Sequence, residues 1–233
     1  MTSRPLYTMF MAVPPRYDIV NHIVTLGLDI GWRNLAAREC LAAGAKTFLD
    51  LGCGTGDLAL TVSRTAAGTA AIVGLDYSRP MLDRAVIKAR RRHAVANFIQ
   101  GDAAALPFPD SSLECVGISF AFRNLTYKNP NTRQYLSEVL RVLRPGGRFV
   151  IVESSQPPSA IFNWIFQRYV RWFVRPAGVI VSGNPGAYRY LSESVARFYT
   201  ATEAVKLLLD AGFSQVTFRR LFFGAAALHI AVK

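Results

Sequence analysis

The chain has 233 residues, about half of them hydrophobic, and a formal net charge of +12 from 27 Lys and Arg against 15 Asp and Glu. That size suits one α/β domain with an insertion, and the charge favours an anionic partner, nucleic acid or membrane, or simply a solvated basic surface. Cys40, Cys53 and Cys115 lack disulfide or metal spacing and the N-terminal stretch lacks an apolar secretory leader, so a cytoplasmic chain without a metal site is expected.

Residues 1–15 read as irregular, broken by Pro5, Pro14 and Pro15. Tyr17–Ala43 reads as helical in two pieces divided near Gly27 to Gly31, with Gly44 at the closing position. Lys46–Leu51 is the first expected strand and runs into Gly52-Cys-Gly-Thr-Gly-Asp57. A helix over Asp57–Thr65 and a strand over Thr69–Leu75 follow. Ser78 and Pro80 mark the start of a helix that ends near Arg92, in the basic run Arg90-Arg91-Arg92-His93.

A strand, a glycine-rich turn and a helix start make a nucleotide-type site. The spacing from Gly52 is G-x-G-x-G, with Asp57 where a dinucleotide fingerprint has its last glycine, and no P-loop lysine follows. Acidic residues at both ends, Asp50 and Asp57, suit a cationic ligand better than a pyrophosphate. S-adenosylmethionine carries an ammonium and a sulfonium and no phosphate. Asp76, twenty residues beyond Gly56, can accept from ribose hydroxyls. The plainer reading leaves the glycines as a tight turn and Asp76 as a helix cap.

The next expected strands are Ala96–Gln100, ending at Asp102 and Ala103, and Ser112–Ser119. Asp102 can accept from an adenine amino group. Arg123 and Asn124 follow the fourth strand directly and are site candidates on that ground. Asn131–Leu143 is an amphipathic helix, ended by Arg144-Pro-Gly-Gly147, with a fifth strand over Arg148–Glu153. Ala160–Arg175 sets aromatic and aliphatic residues on one arc, with Arg168, Arg171 and Arg175 beside Trp164 on the other. Such a helix either lies in a membrane interface or packs its aromatic face on the sheet, and it is too interrupted by charge to span a bilayer. A loop over Asn184–Leu191, a last helix over Thr202–Ala211 and strands Val216–Leu221 and Ala225–Val232 complete a mostly parallel α/β sheet.

These motifs resemble the ubiquinone/menaquinone biosynthesis C-methyltransferases from about Arg16 to Lys233. The matching stretches are Tyr17-Asp18 through Trp32-Arg33, Leu49-Asp-Leu-Gly-Cys-Gly-Thr-Gly-Asp57, Gly74-Leu-Asp-Tyr-Ser78 and Leu106-Pro-Phe-Pro-Asp110. Ser119-Phe-Ala-Phe-Arg-Asn-Leu-Thr126 and the ending Ala227-Leu-His-Ile-Ala-Val-Lys233 are the most family-specific. Departures lie at Gly31, Asp102, Ser154 within Glu153-Ser-Ser-Gln-Pro157, and Phe198-Tyr199.

The resemblance implies a Rossmann-like class I fold with a seven-stranded, mostly parallel sheet, helices on both faces and a helical lid insertion over residues 155–200. It implies a helical substrate cap over residues 1–45 and a methyltransferase domain over 46–233. Thr55, Asp76, Asp102, Ala103 and Ser119 are implied contacts to S-adenosylmethionine, alongside Asp50, Gly52, Gly54, Gly56 and Tyr77. The implied reaction is C-methylation of a reduced polyprenyl quinol, demethylmenaquinol first and a benzoquinol second, at the membrane surface. Arg123, Tyr17 and His22, with His229 behind them, are the candidates for handling the phenolic proton. Another small or lipid acceptor and a noncatalytic binding role are the alternatives, and a homo-oligomer is compatible with all of them. Nucleic acid is not expected, because Phe120–Asn124 is not the Asn/Asp-Pro-Pro-aromatic motif of amino-methylating enzymes and no cysteine follows a proline.

Overall fold

The computed structural model describes residues 17–174, 176 and 192–233. Two helices open it, α1 (Tyr17–Val24) and α2 (Leu28–Leu41), followed by a 3-10 turn over Ala42–Gly44. Then strands and helices alternate as the apolar pattern requires: β1 (Thr47–Leu51), α3 (Asp57–Ala66), β2 (Ala71–Asp76), α4 (Arg79–Arg91), β3 (Asn97–Gln100) and β4 (Leu113–Ser119). After them come α5 (Phe122–Thr126), α6 (Thr132–Val142), β5 (Leu143–Ser154), α7 (Ala160–Tyr169), α8 (Ala201–Asp210), β6 (Gln215–Leu221) and β7 (Ala226–Val232).

The strands form one sheet in the order β3-β2-β1-β4-β5-β7-β6. The first five run parallel, and β7 inserts antiparallel between β5 and β6. Continuous apolar runs are what a sheet covered on both faces needs. Phe48, Leu49 and Leu51 are fully buried, each worth about 1.5–3 kcal/mol of transfer free energy. Alternation divides them between two cores. Leu49 and Leu51 join Leu136 and Val139 of α6 and Leu208 of α8. Phe48 faces the other way, onto Leu58 and Val62 of α3 and Ala36, Ala37 and Cys40 of α2. The second helix of the expected N-terminal cap is thereby built into the same core as the sheet.

Two elements differ from their sequence expectation. β5 begins at Leu143, five residues before Arg148, because Pro145 and its neighbours form a bulged excursion within the strand: pairing steps from Leu113–Leu143 to Cys115–Arg148. The C-terminus holds that excursion, with Gly146 N–H donating to Lys233 O and Lys233 N–H to Gly147 O. The expected helix Ala160–Arg175 is α-helical only to Tyr169 and continues as a π-helical turn over Val170–Val174. No residue of α7 is buried, so its aromatics do not pack on the sheet; Val170 and Val174 are the anchoring residues. Arg175 and the loop Asn184–Leu191 lie outside the described residues. Among the described residues no helix is long and apolar enough to cross a membrane.

Candidate functional site

In an open parallel sheet the crevice forms where neighbouring strands send their connections to opposite faces. Here that point lies between β1 and β4, at their C-terminal ends. A cavity opens there, walled by the turn after β1, the ends of β2 and β4, the segment after β3 and the start of α5. Asp50, Gly52, Gly54, Thr55, Asp76, Tyr77, Asp102, Ala103 and Ser119 all line it. Gly56 does not. It sits at the N-cap of α3 with φ +84°, and a Cβ there would meet the Phe98 ring at 3.0 Å, so its part is to let the turn reach the helix.

Asp50 is almost fully buried. Its Oδ2 accepts from Ala59 N–H at 2.8 Å, while Oδ1 has no partner. Burial pushes the carboxyl up to about 8, against the pull of the Ala59 bond and of the Arg33 charge. A buried acceptor left unmatched costs about 1–3 kcal/mol, and a cationic donor in the cavity would relieve it. Asp76 accepts from Gly54 N–H and Ser78 N–H, each at 2.8 Å. Burial raises its carboxyl as well, opposed by those bonds and one from Tyr77. With about four acceptor sites and three backbone bonds, the Asp76 carboxylate keeps one site for a ribose hydroxyl. Gly54, at φ +53° with open space where a Cβ would be, lets a ligand approach the backbone.

Arg33 reaches the cavity although it is remote in sequence. It is buried, donates from Nε to Ser119 Oγ at 3.1 Å, pairs with the fully buried Asp29 and lies 5.3 Å over the Phe120 ring. Phe120, also on the wall, holds φ +57°, a left-handed backbone that a bulky residue adopts only under constraint. A sequence signal for Arg33 existed in the Trp32-Arg33 pair; nothing in the sequence marked Phe120 as strained.

Of the proton-handling candidates, Arg123, His22 and His229 lie off the cavity wall. Arg123 does not line the cavity. It is buried, its Nη1 donates to Glu153 Oε1 at 2.9 Å and to Ser154 Oγ at 3.1 Å, and its backbone N–H donates to Glu153 Oε2. The next residue, Asn124, faces the cavity instead, with a buried Oδ1 that has no protein partner. His22 binds Asp29 through Nδ1 at 2.8 Å and is not on the wall, whereas Asn21 beside it is. Tyr17 begins α1; its side chain lies outside the described residues. His229 is buried on β7, with Nε2 3.0 Å from Ala201 O. Burial lowers its imidazole, keeping it neutral, and it lines no part of the cavity.

An ionic cluster fastens α1 over the glycine turn. Thr55 Oγ donates to Asp18 Oδ1 at 2.6 Å, and Lys88 Nζ lies 2.7 Å from Asp18 and 2.8 Å from Asp57. Burial would raise the Asp18 carboxyl, but the Lys88 and Thr55 bonds outweigh it and hold it below the ordinary range.

The model of the ubiE/COQ5 methyltransferase family matches residues 2–233. The chain belongs to that family. Within the ubiE/COQ5 family it is 42% identical over 222 residues to a demethylmenaquinone methyltransferase of Thermus thermophilus, covering 95% of this chain and 98% of that one. It is 40% identical to one of Deinococcus radiodurans, over 97% and 91% of the two chains. A ubiquinone/menaquinone biosynthesis C-methyltransferase UbiE of Pseudomonas putida is 34% identical over 99% of this chain and 90% of its own. The fold is that of a SAM-dependent methyltransferase of Aquifex aeolicus, with TM-score 0.59 at 18% identity over 88% and 90% of the chains. A SAM-dependent methyltransferase of Thermotoga maritima gives TM-score 0.61 at 18% identity over 94% and 93%. This member of the family is a methyltransferase that uses S-adenosylmethionine, and the unmatched Asp50 oxygen, the Gly54 approach and the Asp76 carboxylate fit that cofactor.

Proposed function

We propose that the chain methylates a ring carbon of a reduced polyprenyl quinol, with demethylmenaquinol as the acceptor, and that it does so at a membrane surface. The cofactor supplies an electrophilic methyl on a sulfonium. Asp50 would hold the ammonium of its methionyl part and Arg33 its carboxylate, opposite charges orienting one ligand from two sides. Asp76 would hold the ribose, and Asp102 with Ala103 would border the adenine.

The observation that carries the quinol reading is Asn124. Asn124 lines the same cavity as Asp50 and its Oδ1 has no protein partner, so this amide is the group to accept the hydrogen bond of a phenolic O–H. Polarising that bond would raise electron density on the ring carbon that accepts the methyl; transfer would leave the cofactor as its uncharged thioether, and the ring carbon's own proton would pass to solvent. Phe120, Leu125 and Tyr135 on the same wall give the flat ring an apolar seat. Arg123 acts from behind: clamped by Glu153, it fixes the start of α5 and sets Asn124 in the cavity. The named activities of the curated relatives support the same acceptor. In this reading α1 with its Asp18–Lys88 fastening is the substrate cap, and the described part of residues 155–200, α7 with its π-helical turn, belongs to the lid.

The test is transfer of labelled methyl from S-adenosylmethionine, under reducing conditions, to short-tailed demethylmenaquinol and to its benzoquinol counterpart in parallel. Label in the naphthoquinol product is expected. Label in neither product, with cofactor binding intact, would move the assignment to another acceptor.

A further inference from the structure

Among the described residues, all the exposed large hydrophobics except Tyr77, Ile87, Val95 and Leu209 fall in three segments. The first is a stripe on α1 and α2: Ile19, Ile23, Leu26 and Ile30. The second is α7 with its π-helical turn, where Trp164 is 59% and Trp172 71% exposed. The third is the 3-10 tip of the β6–β7 hairpin, Phe222–Gly224, whose two phenylalanines are 50% and 63% exposed. Contacts join them into one face. Tyr169 Oη donates to Val24 O at 2.7 Å, tying α7 to α1. Phe162 stacks on Phe223 with centroids 4.4 Å apart, tying α7 to the tip. Because β6 runs parallel to β5, the tip emerges at the edge where β5 ends, which is the edge of the cofactor cavity.

The tip is also strained. Phe222 has φ 42° and Phe223 φ 55°, a left-handed conformation that bulky L-residues adopt only under constraint. Even with the Phe162 stack, both rings of this constrained tip remain half or more exposed to water. Cations are interleaved with the rings: Arg168 lies 4.4 Å over Trp164 and Arg171 6.0 Å from the Trp172 centroid. Residues 155–174 and 211–233 contain no Asp or Glu. In α1 and α2 the first-turn acids are turned inward, Asp18 to Lys88 and Thr55, Asp29 into full burial.

We infer that these three segments form one docking face for an anionic lipid bilayer, with the strained Phe222-Phe223 tip as an inserting wedge. The inference rests on the lipid-acceptor reading above and names the surface that serves it. Aromatic rings beside arginines are the composition of an interfacial membrane surface. A second copy of the chain is a poorer occupant, since it would set arginine against arginine in a protein of charge +12. α1 connects face and cavity: Ile19 and Ile23 are exposed on it, while Asn21 lines the cavity.

The experiment is vesicle flotation of the full chain with phosphatidylglycerol-containing and with pure phosphatidylcholine vesicles. It compares the wild type with the double variant Phe222→Asn/Phe223→Asn. Asparagine tolerates the left-handed backbone, so the variant is expected to keep its melting temperature. Wild type is expected to float with anionic vesicles, and the variant at least tenfold less, while methyl transfer to a soluble short-tailed quinol stays unchanged. Equal flotation of the variant, equal binding of wild type to neutral vesicles, or a dimer in lipid-free solution that the variant dissociates would each overturn the inference. Flotation as expected without transfer to any quinol would instead sink the acceptor reading and leave the docking face standing.

Discussion

Asp50 carries one hydrogen bond on Oδ2, none on Oδ1, and a carboxyl lifted by burial to about 8. From about pH 4 to about 8 the folded chain keeps a proton that the unfolded chain has lost. Stability is therefore fully present below the unfolded value and declines as pH rises, by up to about 1.4 kcal/mol per pH unit, levelling off above 8. Asp76, raised in the same direction, adds to the decline. Urea unfolding at pH 5, 6.5 and 8 should show a shallower decline in Asp50→Asn than in wild type. A cationic ligand on Oδ1 favours the ionised form, so binding below pH 8 should release a proton. Calorimetry in two buffers of different ionisation enthalpy would detect that release, and its absence would remove Asp50 from the ligand. Arg33 makes a second prediction. If it holds a carboxylate, Arg33→Gln should weaken S-adenosylmethionine about tenfold or more, yet barely change the affinity for methylthioadenosine, which lacks the amino-acid part. Equal weakening of both ligands would reduce Arg33 to a support for Asp29.

At the scale of elements, α1 depends on its fastening, because eight residues are too few for a helix to hold itself. Lys88 sits between Asp18 and Asp57 at 2.7 and 2.8 Å. Lys88→Met should leave two carboxylates facing each other and loosen α1. Amide exchange in residues 17–24 should then quicken about tenfold while the β1 and β4 amides keep their protection; unchanged exchange would mean that Tyr169 and the helix junction hold α1 alone. Much of this level was legible beforehand. Apolar runs ending in glycine or aspartate placed β1 and β2, and Gly27 divided α1 from α2, because those signals are local. What stayed hidden was set at long range. β5 gains its early start from backbone pairing with Lys233, and the helical arc of Ala160–Arg175 could not say whether its aromatics meet protein or solvent. The same limit separates Arg123 from Asn124: adjacency to β4 was visible, but only Glu153, thirty residues on, decides which of the two turns into the cavity.

For the whole molecule, the burial of α2 against β1 and α3 predicts that the N-terminal helices and the sheet unfold as one cooperative unit. α2 contributes Ala36, Ala37 and Cys40, all fully buried, to the core of Phe48, Leu58 and Val62. It adds a charged link, Glu39 to Arg148 of β5 at 2.8 Å, and sends Arg33 to Ser119 at the end of β4. Removing residues 1–45 would uncover that core face along α3 and β1. The apolar area uncovered there runs along β4 and β5 as well, the centre of the sheet, and leaves covered only the core on the opposite face. A fragment of residues 46–233 is therefore expected to show no cooperative thermal transition and little near-ultraviolet circular dichroism, with or without S-adenosylmethionine. Cooperative melting of that fragment, with cofactor raising its midpoint, would show that the glycine-turn site is complete without α2. The full chain offers the contrasting case. There cofactor at a hundred times its dissociation constant should add about 2.7 kcal/mol, because it binds only the folded chain, in which α2 supplies Arg33 to the site.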